Sequence, residues 1–342
     1  MKLTLLISLT VLLTAAAWGQ PCVDAAKQVK PVISTEAAKT YEANLAIARE
    51  AYSKNPQIAE ELIWYGRRMA YLGEYKEAIK IFTEGVAKFP KDARMYRHRG
   101  HRYITLRCFD DAIRDFETAA KLIKGKPDSV EPDGMPNARN IPTSTLQSNI
   151  WYHLGLAYYL KGDFKKAEKA YAECQKVSKN NDMLVATVYW RYMALRRSGK
   201  AKEAKQLLNS LPKDLEVIEN EDYLKLIKLN RDEERPEKLL STIQGDANTL
   251  GSASLGYGIG NYFLYNGDAE KAGVIFRKIV SGDQWASFGY IAAEVEWRKS
   301  PFSRLEILVK IFRRPVSLSI QAMQLPGRET VGRALSISSS AS

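Results

Sequence analysis

Trp151-Tyr152-His153-Leu154-Gly155-Leu156-Ala157-Tyr158 is the stretch that decides the architecture. It reads W-x-x-L-G-x-x-Y, with large residues at the ends and a glycine where another helix can approach closely. Working outward, Gly66 and Gly100, Ala78 and Ala112, and Phe82 and Phe116 are each 34 positions apart. Small residues recur where two helices cross, and aromatics recur where neighbouring units meet. A fixed period of this kind marks a stack of helical units rather than a single-core globule.

Each unit reads as two antiparallel helices. In the first, Leu62, Tyr65, Gly66 and Met69 form one inner face, Gly73 ends the helix, and Tyr75, Ala78 and Phe82 pack from the second. Pro90 stops that second helix because proline lacks the N–H needed to continue the ladder. The next unit uses Tyr96, Gly100, Tyr103, Phe109, Ala112 and Phe116; the third uses Trp151, Gly155, Tyr158, Gly162, Phe164, Ala167, Tyr171 and Cys174. A fourth, slightly offset, is marked by Val188, Tyr192, Leu195, Gly199, Ala204 and Leu208. Residues 213–241 read as a degenerate helix pair, and Gly260, Phe263, Gly267, Ala272 and Phe276 as another copy. Upstream, Ser34 to Asn55 reads as one helix. The last helix carries Trp285, Phe288, Ile291, Ala292 and Val295 on one face, so Glu294, Glu296, Arg298 and Lys299 are expected outward, as a solvating cap. Residues 125–146, with Pro127, Pro132, Gly134, Pro136 and Pro142, form a long turn-rich loop that is either a passive insertion or a cover at the edge of a ligand site.

The octet and the 34-residue register resemble the tetratricopeptide repeat proteins, over residues 36–298. The resemblance implies an all-α fold, an α-solenoid of antiparallel helix pairs wound into a right-handed superhelix. It also implies a concave groove lined by first helices, in which a peptide or partner helix binds. Carried onto this sequence, the groove places fall on Trp64, Arg67, Tyr71, Arg94, Arg97, His98, His101, Tyr152, His153, Tyr159, Arg196 and Arg197, with Asn149 beside them. This is a basic, aromatic lining. Arginine forks bind carboxylates bidentately and aromatic rings give flat anchoring area, so a protein or peptide partner with acidic groups is expected. One subgroup clamps a C-terminal carboxylate with lysine, asparagine and arginine; Ile63, Arg67, His98, Asn149 and His153 do not reproduce that set.

His98 and His101 share a helix and His153 repeats the place of His98, but nothing evident completes a metal ligand set. They are expected as hydrogen-bonding groove residues whose titration near neutral pH makes binding pH-sensitive. No P-loop, G-x-S-x-G, H-E-x-x-H or Cys-x-x-Cys occurs, so a non-catalytic scaffold without cofactor or metal is expected. The alternative is a salt-sensitive binder of anionic envelope polymer or lipid headgroups, using Arg67, Arg97, Arg102 and the basic tail. No nucleic-acid partner is expected.

Residues 1–19 read as a signal peptide, with Lys2, an apolar run from Leu3 to Leu13, and small Ala17 and Gly19 at the cleavage site. The mature chain is therefore expected in the periplasm or outside the cell. Residues 20–35 read as a flexible lead-in, and residues 299–342 as a poorly ordered basic tail, with peripheral contact to an anionic membrane as the less favoured reading. Of three cysteines, Cys174 reads as packing; a Cys108–Cys174 bridge is disfavoured, and Cys22 is left to pair with either, with another chain, or to carry a lipid.

Overall fold

Apolar residues spaced for one buried stripe per helix, punctuated by glycine turns, produce a chain of helical hairpins. The structure, a computed structural model, describes residues 21–244 and 250–300. The expected leader at 1–19 and the tail beyond Ser300 lie outside the described residues. A short α1 (Pro21–Ala25) and a long α2 (Thr35–Lys54) lead into the pairs α3/α4 (Ala59–Tyr71, Tyr75–Lys88) and α5/α6 (Ala93–Thr105, Phe109–Ile123). After the loop come α7/α8 (Leu146–Lys161, Phe164–Val177) and α9/α10 (Asn181–Arg197, Ala201–Asn209). Then follow α11/α12 (Glu221–Asn230, Pro236–Gln244), α13/α14 (Leu250–Tyr265, Ala269–Val280) and a single α15 (Phe288–Lys299). The all-α solenoid of antiparallel pairs is therefore the fold.

The repeated small residues act as expected. A Cβ at Gly100 would meet the Phe116 ring at 2.9 Å, and one at Gly155 would meet Tyr171 at 2.8 Å, so only glycine lets these helices cross. Gly73, Gly162, Gly199 and Gly267 turn the chain between paired helices with φ from +76° to +92°. In the α5–α6 turn that place is taken by Arg107, 34 residues after Gly73, with φ +65°. A bulky residue held there costs on the order of 1 kcal/mol, which contacts elsewhere must offset.

α7 is buried on nearly every side, from Ile150 and Leu154 to Tyr159 and Leu160. A helix apolar around its circumference belongs in the centre of a structure. Its start is fixed by a capping box: Thr145 accepts from the Ser148 amide, and the Ser148 hydroxyl accepts from the Thr145 amide. Beside it, Trp190 is fully buried, edge-on to Tyr159 and stacked on Tyr257.

α15 departs from the expected cap. It turns back against α13, α14 and α7, and its acids face inward. Glu294 pairs with Arg107 at 2.7 Å, and Glu296 pairs with Arg197 at 2.7 Å with its side chain 9% exposed. Trp285, just before it, lies under the Arg107 guanidinium at 3.9 Å and accepts from it through its carbonyl at 2.9 Å. Helical periodicity had placed both acids outside because it assumed one buried stripe; α15 is sandwiched and buries more than one.

The lead-in also differs from expectation. Cys22 and Cys108 form a disulfide across 86 residues, the pairing left open among alternatives, and Cys174 is free and buried. Gln28 accepts from the Lys76 amide at 2.9 Å, and Lys30 pairs with Glu74 at 2.6 Å. Residues 22–30 are tied to the first two repeats rather than left loose.

A self-filled groove and its acidic cavity

The first helices α3, α5, α7 and α9 carry the expected groove residues, but the groove is occupied by the chain itself. The loop at 125–146 enters from one side. Its Glu131 is 8% exposed and pairs with Arg97 at 2.9 Å while accepting from the Asn149 amide nitrogen at 3.2 Å. Gly134 packs against Tyr71, and its carbonyl accepts from Arg68 at 3.1 Å. α15 enters from the other side and lays Phe288 against His101 and His153, with ring centroids 5.3 Å apart in each case.

The expected residues consequently have internal partners. Arg94 pairs with Glu60 at 2.6 Å and Asp92 at 2.7 Å. Arg196 donates to the Tyr192 hydroxyl at 2.9 Å and the Tyr265 carbonyl at 3.0 Å, and Arg197 holds Glu296. Trp64 is the platform for Arg67, 4.3 Å from its ring, and Arg67 donates to the Tyr71 hydroxyl at 3.3 Å. Tyr152 is buried against Tyr223, and Tyr159 lies in the core, accepting from the Tyr257 hydroxyl at 3.0 Å. The acidic and aromatic complement expected of a partner is supplied here by Glu131, Glu294, Glu296, Trp285 and Phe288.

The histidines are likewise not exposed titrating groups. His98 accepts from Arg97 at Nδ1, 3.1 Å away; arginine is only a donor, so the proton of His98 sits on Nε2, toward Glu131 at 3.8 Å. His153 donates from Nδ1 to the Asn149 carbonyl at 2.6 Å and stacks on Phe116. Burial, reinforced by the neighbouring arginines, holds His98 and His101 well below the ordinary imidazole value and pushes His153 down to about 3. All three are neutral at physiological pH, which overturns the expected pH-sensitive binding. Among the described residues the cluster with metal-ligand spacing is Cys22, Cys108 and Asp111, whose two sulfurs are bonded to each other.

What remains open in the groove is a cavity of about 500 Å³ between the loop, α7, α9, α11 and α15. Its walls include Tyr152, His153, Tyr223 and Phe288, and its acids are Asp133, Glu219 and Asp222. Glu219 is positioned by a buried cap: the Asp182 carboxylate accepts from the backbone amides of Ile218, Glu219 and Asn220 at 2.8–3.0 Å. The Glu219 carboxylate accepts from the Thr143 hydroxyl and from Asn137 at 3.2 Å. Burial, then repulsion by Glu219, raises the Asp133 carboxyl above its ordinary range. Neither Asp133 nor Glu219 has a lysine or arginine within ion-pair distance among the described residues. A site of this kind attracts a cation rather than an anion.

The hairpins, their glycine crossings and their period now stand together, and residues 148–181 match the tetratricopeptide repeat family. The chain carries a tetratricopeptide repeat and has the fold of that family. The match covers the hairpin that opens with the Trp151 octet. Curated relatives include a BBSome complex member (BBS4) of Bos taurus, 29% identical over 44% of this chain and 24% of the relative. An Hsp70-Hsp90 organising protein of Plasmodium falciparum is 27% identical over 56% of this chain and 64% of the relative. The chain thus spans less than two thirds of these relatives' lengths. Among solved structures, a tetratricopeptide repeat protein from Parabacteroides merdae is 15% identical, covering 75% of this chain and 92% of its own, with a TM-score of 0.43.

Within this tetratricopeptide scaffold, repeat reasoning missed Glu131, Asp133 and Glu219 because they lie in the loop and the degenerate pair, where no period operates. It also missed Arg107, for which a signal existed: the only reason to place arginine at the glycine turn is what its side chain reaches.

Proposed function

We propose that this chain is a non-catalytic scaffold, exported to the cell envelope or beyond, that holds a protein partner by a lysine or arginine side chain in the acidic cavity. The observation that carries this reading is the pair Asp133 and Glu219, neither of them in an ion pair, beside groove arginines Arg94, Arg97 and Arg197 that already hold carboxylates. A cation entering between them relieves their repulsion and lies against Tyr152 and Tyr223, whose ring faces attract positive charge. At about 500 Å³ the cavity is within the roughly 300–1,000 Å³ of ordinary ligand pockets and far smaller than a groove for an extended peptide. The Cys22–Cys108 disulfide, three residues past the expected cleavage at Gly19, supports an oxidising compartment. The relatives, a complex member and a chaperone organiser by name, support protein as the partner class.

A second reading rests on the outer face. A groove of about 1000 Å³ between α6, α7 and α8 is floored by Trp151 and Tyr158 and lined by Lys121, Lys124, Lys126 and Lys169, with the acids Glu117, Glu168 and Glu173 engaged by Tyr158, Arg191 and Lys176. The four lining lysines have no carboxylate partner among the described residues, which favours anionic polymer or headgroups as ligand.

The two readings separate in one experiment. The full chain and its Asp133→Asn/Glu219→Gln variant are immobilised and exposed to envelope extract, with melting curves confirming that both are folded. Proteins retained by the wild type at high salt and lost by the variant are the expected result. Equal retention by both contradicts the cavity assignment, and material that leaves both in salt points to the lysine groove.

A further inference from the structure

Behind the acidic cavity lies a smaller, more enclosed one of about 100 Å³ between α3 and α5. Its charged lining is Arg67, Arg97 and Arg102, and His98, His101, Tyr71, Ala70 and Phe82 complete the wall. Three guanidiniums face one space, and the single carboxylate paired with any of them is Glu131 on Arg97. Arg102 has no hydrogen-bond or ion-pair partner among the described residues; the Tyr75 ring at 5.9 Å is its nearest compensation. The Nε of Arg97, in a residue only 8% exposed, is buried without a hydrogen-bond partner. Asp133 acts on Arg67 and Arg97 only through longer-range attraction. A buried donor left unpaired and a cation left uncompensated are both costly, and native structures rarely keep the two side by side.

We propose that this cavity binds a small tetrahedral oxyanion, phosphate or sulfate, held by Arg67, Arg97 and Arg102. At about 100 Å³ it has room for one such ion. The wall explains why the ion is free rather than part of a partner. Tyr71 closes the site, Gly134 of the loop presses on the Tyr71 hydroxyl, and Arg68 fastens Gly134 from the other side. Neutral His98 and His101 add hydrogen-bonding capacity without more charge. The bound ion would lock the loop to α3 and α5, and so hold Glu131 and Asp133 where the larger cavity needs them. The proposal does not depend on which partner that cavity takes.

The test uses the full chain, exchanged into chloride buffer and titrated with inorganic phosphate at constant ionic strength. Calorimetry should show saturable binding of one phosphate, accompanied by a rise in Tm. Arg102→Gln should weaken phosphate binding at least tenfold while melting in chloride no lower than the wild type, because it removes a charge that lacks a partner. Lys124→Gln, on the outer groove, should leave binding unchanged. Phosphate binding that is absent from the wild type, or equal in wild type and Arg102→Gln, overturns the proposal. So does binding lost in Lys124→Gln, which would place the ion on the surface. Sulfate in place of phosphate reports which oxyanion the site prefers.

Discussion

Gly289→Ala is expected to destabilise the protein by about 2 kcal/mol, in the middle of the range for overpacked contacts, although alanine is the better helix former by about 1 kcal/mol. Gly289 lies in the first turn of α15, where that helix crosses α13. A Cβ there would sit 2.4 Å from the Ala253 carbonyl oxygen, 2.5 Å from its carbon and 2.6 Å from the Ser254 nitrogen. These are backbone atoms, so no side chain can rotate away and one helix must move. Movement of α15 withdraws Phe288 from His101 and His153, and Glu294 and Glu296 from Arg107 and Arg197. Gly256→Ala is the control: its Cβ would meet the flexible end of Ile279 at 3.2 Å, and its stability should change little. Urea unfolding of the two variants decides the matter. A Gly289→Ala protein as stable as the control would mean that α15 does not pack as described.

Acid should unfold this protein well above the carboxylate range. Each of the three histidines has a folded pKa below its unfolded value, because burial disfavours the imidazolium. Between those values the unfolded chain binds protons that the folded chain does not. The stabilisation is therefore complete above about pH 6.5 and is lost as pH falls through the window below it. While all three groups stay neutral in the fold, the slope steepens toward three protons, up to about 4 kcal/mol per pH unit, as pH falls below about 6.5. Among the charged groups around them, Arg67, Arg97 and Arg102 repel an added proton, while Glu131 and, across the larger cavity, Asp133, Glu219 and Asp222 oppose that repulsion. Asp115 and Asp133, whose carboxyls burial raises, bind protons more readily when folded and temper the loss. Urea midpoints measured from pH 8 to 4.5 should fall steeply below pH 6.5, and His153→Phe should remove about one proton from the slope. A flat profile would mean that the histidines are hydrated, and hence that the groove is open.

Both expectations rest on a feature that the repeat pattern conceals. Hairpins, crossings and turns were legible because each is decided within 34 residues: Gly66, Gly100 and Gly155 mark crossings whichever protein carries them. The groove residues were also legible as residues, since the first helices do carry Trp64, Arg97 and His153. Their exposure was not, because it depends on Glu131 arriving from the loop and on Glu294 reaching Arg107 across 187 residues. No local period encodes such closure. Once it forms, the basic lining ceases to be a surface, and the charge left facing the open cavity is Asp133 and Glu219, from segments without repeat identity. The Arg107 turn is the instructive exception. An arginine where the neighbouring units use glycine costs conformational energy, and its contacts with Glu294 and Trp285 supply the reason.

The central claim, that this tetratricopeptide groove is filled by its own chain, is tested most directly by amide hydrogen exchange along α15. In a closed groove the amides of residues 290–299 should be protected to nearly the level of α7 and should exchange only in openings that involve several helices. If they exchange like an isolated helix on the solenoid surface while α3, α5, α7 and α9 stay protected, the groove is open in solution and the account is wrong.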